Sequence, residues 1–278
     1  MIRAVIPALT PLFIGDFAHY RDVLVLDDDP RPSVPLRTFF TSGAFDDTLT
    51  RFGEQYPDSD RRGLASIWTK HYCVKLIPPV AAASLILDHR LPLDFADLQL
   101  MLDGQGMPRG FKLPDSGRRW SPEPADGFER FDDLIEHHLR PFIEGVTSRI
   151  RLSPHVLWSN AGNYFDWLLG VLAGEVPHAE LRHGRDVLNA KTLPDGRRNP
   201  LYQPVRYLQV EGQTELKRQR RVCCVRYLVG GLAYCESCPV KHRNARQNGC
   251  LPISVGANSF ANDGADDGDA VAERSLRE

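Results

Sequence analysis

The stretch "RVCCVRYLVGGLAYCESCPVKHR", Arg221 to Arg243, places four of the chain's six cysteines, Cys223, Cys224, Cys235 and Cys238, within sixteen residues. Thiolates gathered this densely hold a soft metal: zinc, copper(I) or the iron of an iron–sulfur cluster. Cys235-x-x-Cys238 has the spacing of a knuckle that presents two sulfurs to one ion. Cys223-Cys224 does not, because adjacent residues project their side chains apart and reach one small ion together only from a strained backbone. A [2Fe–2S] centre spreads four ligands over two irons and offers diverging cysteines a wider target. Other chemistries stay open on these residues alone. Zinc would use the same four sulfurs, and a dithiol redox pair would use Cys235 and Cys238, although no βαβ pattern surrounds them. A vicinal Cys223–Cys224 disulfide would leave the downstream pair unexplained.

The remaining cysteines read differently. Cys73 lies in an apolar helical stretch and reads as packing, and Cys250, twelve residues beyond Cys238, reads as a free thiol. Six cysteines in 278 residues are too few for a small secreted disulfide scaffold, and a chain this long buries a core without staples, which favours a reducing compartment.

Net charge is −2, which gives no global reason to expect nucleic acid as a partner. The average hides a basic island: residues 215–250 carry eight Lys or Arg against two acidic residues. Lys217, Arg218, Arg220, Arg221 and Arg226 precede or interrupt the cysteines, and Lys241, Arg243 and Arg246 follow them. Positive charge near a cluster raises its reduction potential and steers anionic partners; the plainer reading is a solvated basic face.

The elements that must position these residues are mostly helical. "SDRRGLASIWTKHYCVKL" starts at a Ser59 or Asp60 cap and spaces Leu64, Ile67, His71 and Val74 along one face. "FERFDDLIEHHLRPFIEGVTSRI" has the same period with a break expected at Pro141, and "NYFDWLLGVLAGEV" reads as a third, more apolar helix. "FKLP", "RRWS" and "QPVRYLQV" read as strands among Pro- and Gly-rich turns. The longest apolar run, "LIPPVAAASLIL", is too short to span a bilayer. Pro7 and Pro11 interrupt the N-terminal apolar run and no small-residue cleavage site follows, so that run reads as mature protein. The fold class expected is α+β, predominantly α-helical with a few strands and a small C-terminal metal module. Residues 1–214 form the main domain, 215–253 the cysteine module, and 254–278, with six acidic residues against two Arg and few large apolar ones, a disordered tail.

Trp158, Tyr164 and Trp167 with Asn160 or Asn163 are candidates for a ligand wall, against the plainer reading that helical spacing places them in the core. His137 and His138 are adjacent and cannot both face one helix-bound metal. No GxGxxG or GxxxxGK[ST] motif occurs, so no dinucleotide or nucleotide site is expected.

Cys223-Cys224, ten residues and Cys235-x-x-Cys238, with Arg221 before and Pro239 after, resemble the C-terminal [2Fe–2S] signature of the FhuF-type ferric siderophore reductases. The likeness extends to "CCVRY" and "YCESCPV", and upstream to "ASIWTKHY" and "LWSNAGNYF", where Trp-Ser-Asn stands in place of that family's Trp-Gly-Asn. The resemblance implies a [2Fe–2S] cluster on Cys223, Cys224, Cys235 and Cys238 and a cytoplasmic reductase that delivers one electron to a ferric siderophore and releases Fe(II). It implies a main domain that binds the siderophore, with hydroxamates favoured. With no nucleotide site, electrons would arrive from a separate protein such as a ferredoxin or flavin reductase. No transmembrane segment is expected, which leaves a soluble protein or one at most peripheral at the inner membrane. The alternative is a zinc-stabilised siderophore-binding or regulatory module without redox activity.

Overall fold

The computed structural model describes residues 6–177, 180–209, 214 and 216–241; the tail 254–278, Cys250, Arg243 and Arg246 lie outside the described residues. Two 3-10 turns, Pro7–Leu12 and Gly15–Tyr20, precede β1 (Leu24–Leu26), β2 (Val34–Pro35), α1 (Leu36–Phe39), α2 (Ala44–Gly53) and the long α3 (Arg61–Ile86). Then come β3 (His89–Arg90), β4 (Gln99–Leu102), β5 (Pro108–Leu113) and β6 (Arg118–Arg119). α4 (Gly127–Leu134) runs through a π-helical turn, Ile135–Leu139, into α5 (Arg140–Arg149). α6 (Pro154–Leu172), α7 (Arg182–Asn189), β7 (Val205–Gln209) and β8 (Leu216–Arg220) complete the body. The fold is α+β and predominantly helical.

α3 starts where the Asp60 carboxylate accepts from the Arg62 amide at 2.8 Å. Its buried residues lie on every face, so it is the central rod of the fold and not an amphipathic surface helix. The periodic stretch taken to end near Leu76 continues through Pro78 and Pro79 to Ile86. An interior proline costs about 3 kcal/mol through its missing N–H and its clash with the carbonyl four residues back. Burial of each large aliphatic side chain returns about 1.5–3 kcal/mol. With Leu76, Ile77, Val80 and Leu85 all buried around the prolines, packing outweighs the break.

The second helical stretch divides ahead of Pro141, at the π turn, because the proline ring displaces the preceding carbonyls. That turn aims His138 inward. Its Nδ1–H donates to the Leu93 carbonyl at 2.9 Å, which leaves Nε2 to accept from the Tyr72 hydroxyl at 2.6 Å. His137 points out to Asp132.

A four-stranded sheet of order β1-β5-β4-β2 covers one side of α3; β1 and β5 are parallel and the other pairs antiparallel. Leu24 and Leu100 flank Phe111 across it, and all three are buried. "FKLP" lies in β5, "RRWS" keeps only the two-residue β6 paired with β3, and "QPVRYLQV" supplies β7. On its other side α3 packs along α6. Among the described residues no helix is long and apolar enough to cross a membrane.

Candidate metal centre

β8 pairs antiparallel with β7, from Val205 opposite Arg220 to Gln209 opposite Leu216, so the hairpin joins residues on both sides of position 214. Arg218 fastens β8 to α6: Nη2 lies 3.0 Å from the Asp166 carboxylate and Nη1 donates to Asn163 Oδ1 at 2.9 Å. Two residues on, the Arg220 amide donates to the Ser237 carbonyl at 2.9 Å, tying β8 to the Cys235–Cys238 turn, which Cys238 N–H closes on Cys235 O. Val225 follows the adjacent cysteines with φ 50°, a left-handed conformation unfavourable for a β-branched residue. Its amide turns back to Cys223 Sγ at 3.4 Å.

The N-terminal half of α3 forms the bed for this loop. Asp60 N–H donates to Leu228 O at 2.9 Å, Gly230 N–H to Ser59 Oγ at 2.7 Å, and Ser66 Oγ–H to Cys224 O at 2.6 Å. Two glycines allow the approach. A Cβ on Gly63 would sit 2.9 Å from Leu228 Cβ and from Val229 Cγ2, and one on Gly230 would sit 2.4 Å from the Pro57 carbonyl oxygen.

The four sulfurs converge as two pairs: Cys223 with Cys238 and Cys224 with Cys235, each 3.7 Å apart. Two thiolates on one tetrahedral metal at ~2.3 Å lie ~3.8 Å from each other, so each pair has the separation of a single chelate. One tetrahedral ion bound by all four would hold every sulfur at that separation. Among the described residues, no three of these sulfurs lie within 4.8 Å of one another. The neighbours Cys223 and Cys224 thus diverge into different pairs.

Cys224, Cys235 and Cys238 are buried and Cys223 is half-buried. Burial pushes the Cys223 thiol up to about 12. The hydrogen bond from Cys235 drives Cys224 down to about 4 against the effect of burial, with help from the charges of Arg220 and Lys70, and Cys235 is pushed up in turn. The downward direction at Cys224 favours its charged form beside Cys235, Arg220 and Lys70. Beside the loop the exposed Tyr227 and Tyr234 face each other with ring centroids 5.2 Å apart.

The other residues singled out in the sequence fall elsewhere. Cys73 is buried, and burial raises its thiol pKa. Trp158 and Tyr164 are core, Trp167 packs partly buried against it, and the buried asparagines are engaged by arginines: Asn163 receives Arg218, and Asn160 receives Arg220. A solvated basic face describes Arg221 and Lys241, which are exposed, but not Arg220, which is 1% exposed. Sequence reasoning missed Ser66 and Lys70, both buried at this end of α3. The available signal was their polarity within an otherwise apolar helix, since a buried polar side chain needs a partner.

Residues 66–215, from the first third of α3 through β7, match the family described as "Ferric iron reductase FhuF-like transporter". The chain belongs to this family. It is also similar to the ferric siderophore reductase of Escherichia coli (strain K12), with 26% identity over 185 residues, which cover 66% of this chain and 67% of the relative. The FhuF-like match ends before Cys223, so membership rests on the helical body and the two tryptophan-bearing segments, which pack together in α3 and α6.

Proposed function

We propose that this protein is a cytoplasmic siderophore-iron reductase that binds a [2Fe–2S] centre through Cys223, Cys224, Cys235 and Cys238. The observation that carries the reading is the sorting of the four sulfurs into two chelating pairs 3.7 Å apart. Cys223 and Cys238 would hold one iron and Cys224 and Cys235 the other. Membership in an iron-reductase family and similarity to a ferric siderophore reductase point to the same substrate. Residues 215–253 form the cluster module on this reading, and 1–214 the siderophore-binding domain.

Such a centre, when bound, supplies one-electron transfer. The chain's own residues do the rest. β8 and the start of α3 exclude water from Cys224, Cys235 and Cys238, while the half-buried Cys223 leaves one edge within reach of partners. A ferric siderophore, a hydroxamate being favoured, and a separate electron donor such as a ferredoxin or flavin reductase would both approach that edge. The hard oxygen ligands of a siderophore hold Fe(III) tightly and Fe(II) far less so, and one electron therefore releases the metal. No acid, base or nucleophile has to act at the ligand.

The test is to purify the protein anaerobically, quantify iron, sulfide and zinc, and record visible and paramagnetic resonance spectra before and after dithionite. Two irons and two sulfides are expected, with a paramagnetic signal on reduction. The dithionite-free reduced protein should then deliver Fe(II) from a ferric hydroxamate to a colorimetric chelator. One zinc without sulfide would replace the reading with a zinc-stabilised binding module.

A further inference from the structure

Arg220 presents an anomaly that the sulfur ligands alone leave unexplained. It ends β8 with 1% exposure, one of the largest fully buried side chains in the protein. Its Nη2 donates to two neutral oxygens, Ser159 Oγ at 3.1 Å and Asn160 Oδ1 at 2.6 Å. Among the described residues, Nε and Nη1 are buried with no hydrogen-bond partner. A guanidinium without a counter-charge in such a place costs several kcal/mol, and its neighbour in the same strand shows the usual remedy: Arg218 is paired with Asp166.

The geometry around Arg220 faces one way. Its backbone amide binds Ser237 O, between Cys235 and Cys238. The Asn160 that holds its side chain donates to Ser66 O at 3.0 Å and Ser66 Oγ at 3.1 Å, and Ser66 Oγ in turn binds the Cys224 carbonyl. One chain of hydrogen bonds therefore runs from the guanidinium to a sulfur-bearing residue. The Cys224 and Cys235 sulfurs are among the groups on which its charge acts.

We propose that Arg220 is a built-in counter-charge that raises the reduction potential of the centre and is held in place by Ser159 and Asn160. This rests on the [2Fe–2S] reading. An all-thiolate [2Fe–2S] centre is anionic when oxidised and gains one more negative charge on reduction, so a fixed buried cation stabilises the reduced form more. Low dielectric magnifies the difference, because water cannot screen it. Arg220 is a positioning residue that touches neither siderophore nor donor.

The experiment is an anaerobic dye-mediated redox titration of whole protein followed by visible absorbance, with iron and sulfide measured on each sample. Arg220→Gln should lower the reduced-to-oxidised ratio at fixed potential at least tenfold, ~59 mV for one electron, and Arg220→Lys should recover most of the shift. Asn160→Asp, which sets a carboxylate on the guanidinium while keeping Arg220, should lower the potential in the same direction and serves if Arg220→Gln does not fold. Arg218→Gln combined with Asp166→Asn, which removes both charges of a neutral pair, should leave the potential unchanged although it destabilises. An unaltered potential in an iron-loaded Arg220→Gln or Asn160→Asp protein overturns the inference and leaves the cluster reading standing. Wild-type protein with zinc and no sulfide removes both, a result visible before any titration.

Discussion

At the scale of single residues, the four clustered cysteines and the fifth at position 73 are separated by what surrounds them. Cys73 is buried in the main core cluster, apart from the other four, so Cys73→Ser should leave the visible spectrum intact and lower stability by roughly 1–3 kcal/mol through a buried hydroxyl. Serine at Cys223, Cys224, Cys235 or Cys238 should abolish or strongly shift that spectrum; four singly substituted proteins with unchanged absorbance would show that these sulfurs bind no chromophore. His138 offers a second residue-level test. Burial holds its imidazole at about 4, below the ordinary value near 6.5, so the folded state binds fewer protons than the unfolded chain between those values. Its contribution is full above pH 6.5 and is lost as pH falls toward 4, to a total of about 3 kcal/mol. Urea midpoints measured from pH 7 to pH 4 should decline accordingly, and His138→Gln should flatten the decline by the uptake of about one proton.

Among elements, the metal loop depends on α3 more than on its own turns. Gly63 and Gly230 let the 228–230 backbone lie against the start of the helix, and any Cβ there meets a neighbour at 2.9 Å or less. Gly230→Ala should cost about 1–3 kcal/mol by forcing the loop off Pro57, and should weaken retention of the visible chromophore under chelator in parallel. A variant that melts early yet keeps its metal as firmly as wild type would show that docking and metal retention are independent. The helix cap behaves likewise. Asp60 uses its side chain on α3 and its amide on Leu228, so one residue both starts the helix and receives the loop.

For the molecule as a whole, the proposed centre predicts that removing its metal should loosen residues 221–241 while the aromatic core around Trp68, Tyr72 and Phe142 persists, because that core is built from α3, the sheet and α5. Limited proteolysis of chelator-treated protein should therefore cut within that segment first and leave a resistant body. Much of this organisation is legible in the sequence. The 3.6-residue period marks α3, α4–α5 and α6, and the cysteine spacing marks four sulfurs that the fold brings together in two pairs. What is not legible follows from tertiary context. No local rule carries a helix through Pro78-Pro79, since only burial on all sides sustains it. Nor does "LKRQR" announce a strand whose last arginine is buried, because its charge suits solvent until α6 supplies Ser159 and Asn160.

The pairing of the sulfurs also sets an order of assembly. Cys224 and Cys235 lie inside the span from Cys223 to Cys238, so the two contacts are nested and not interlaced. Once the inner loop is closed, the outer ends are already neighbours, and bringing them together adds little further loss of chain entropy. The segment can fasten like a zip from its tip toward β8, and it opens from the other end, at Cys223, where solvent already reaches.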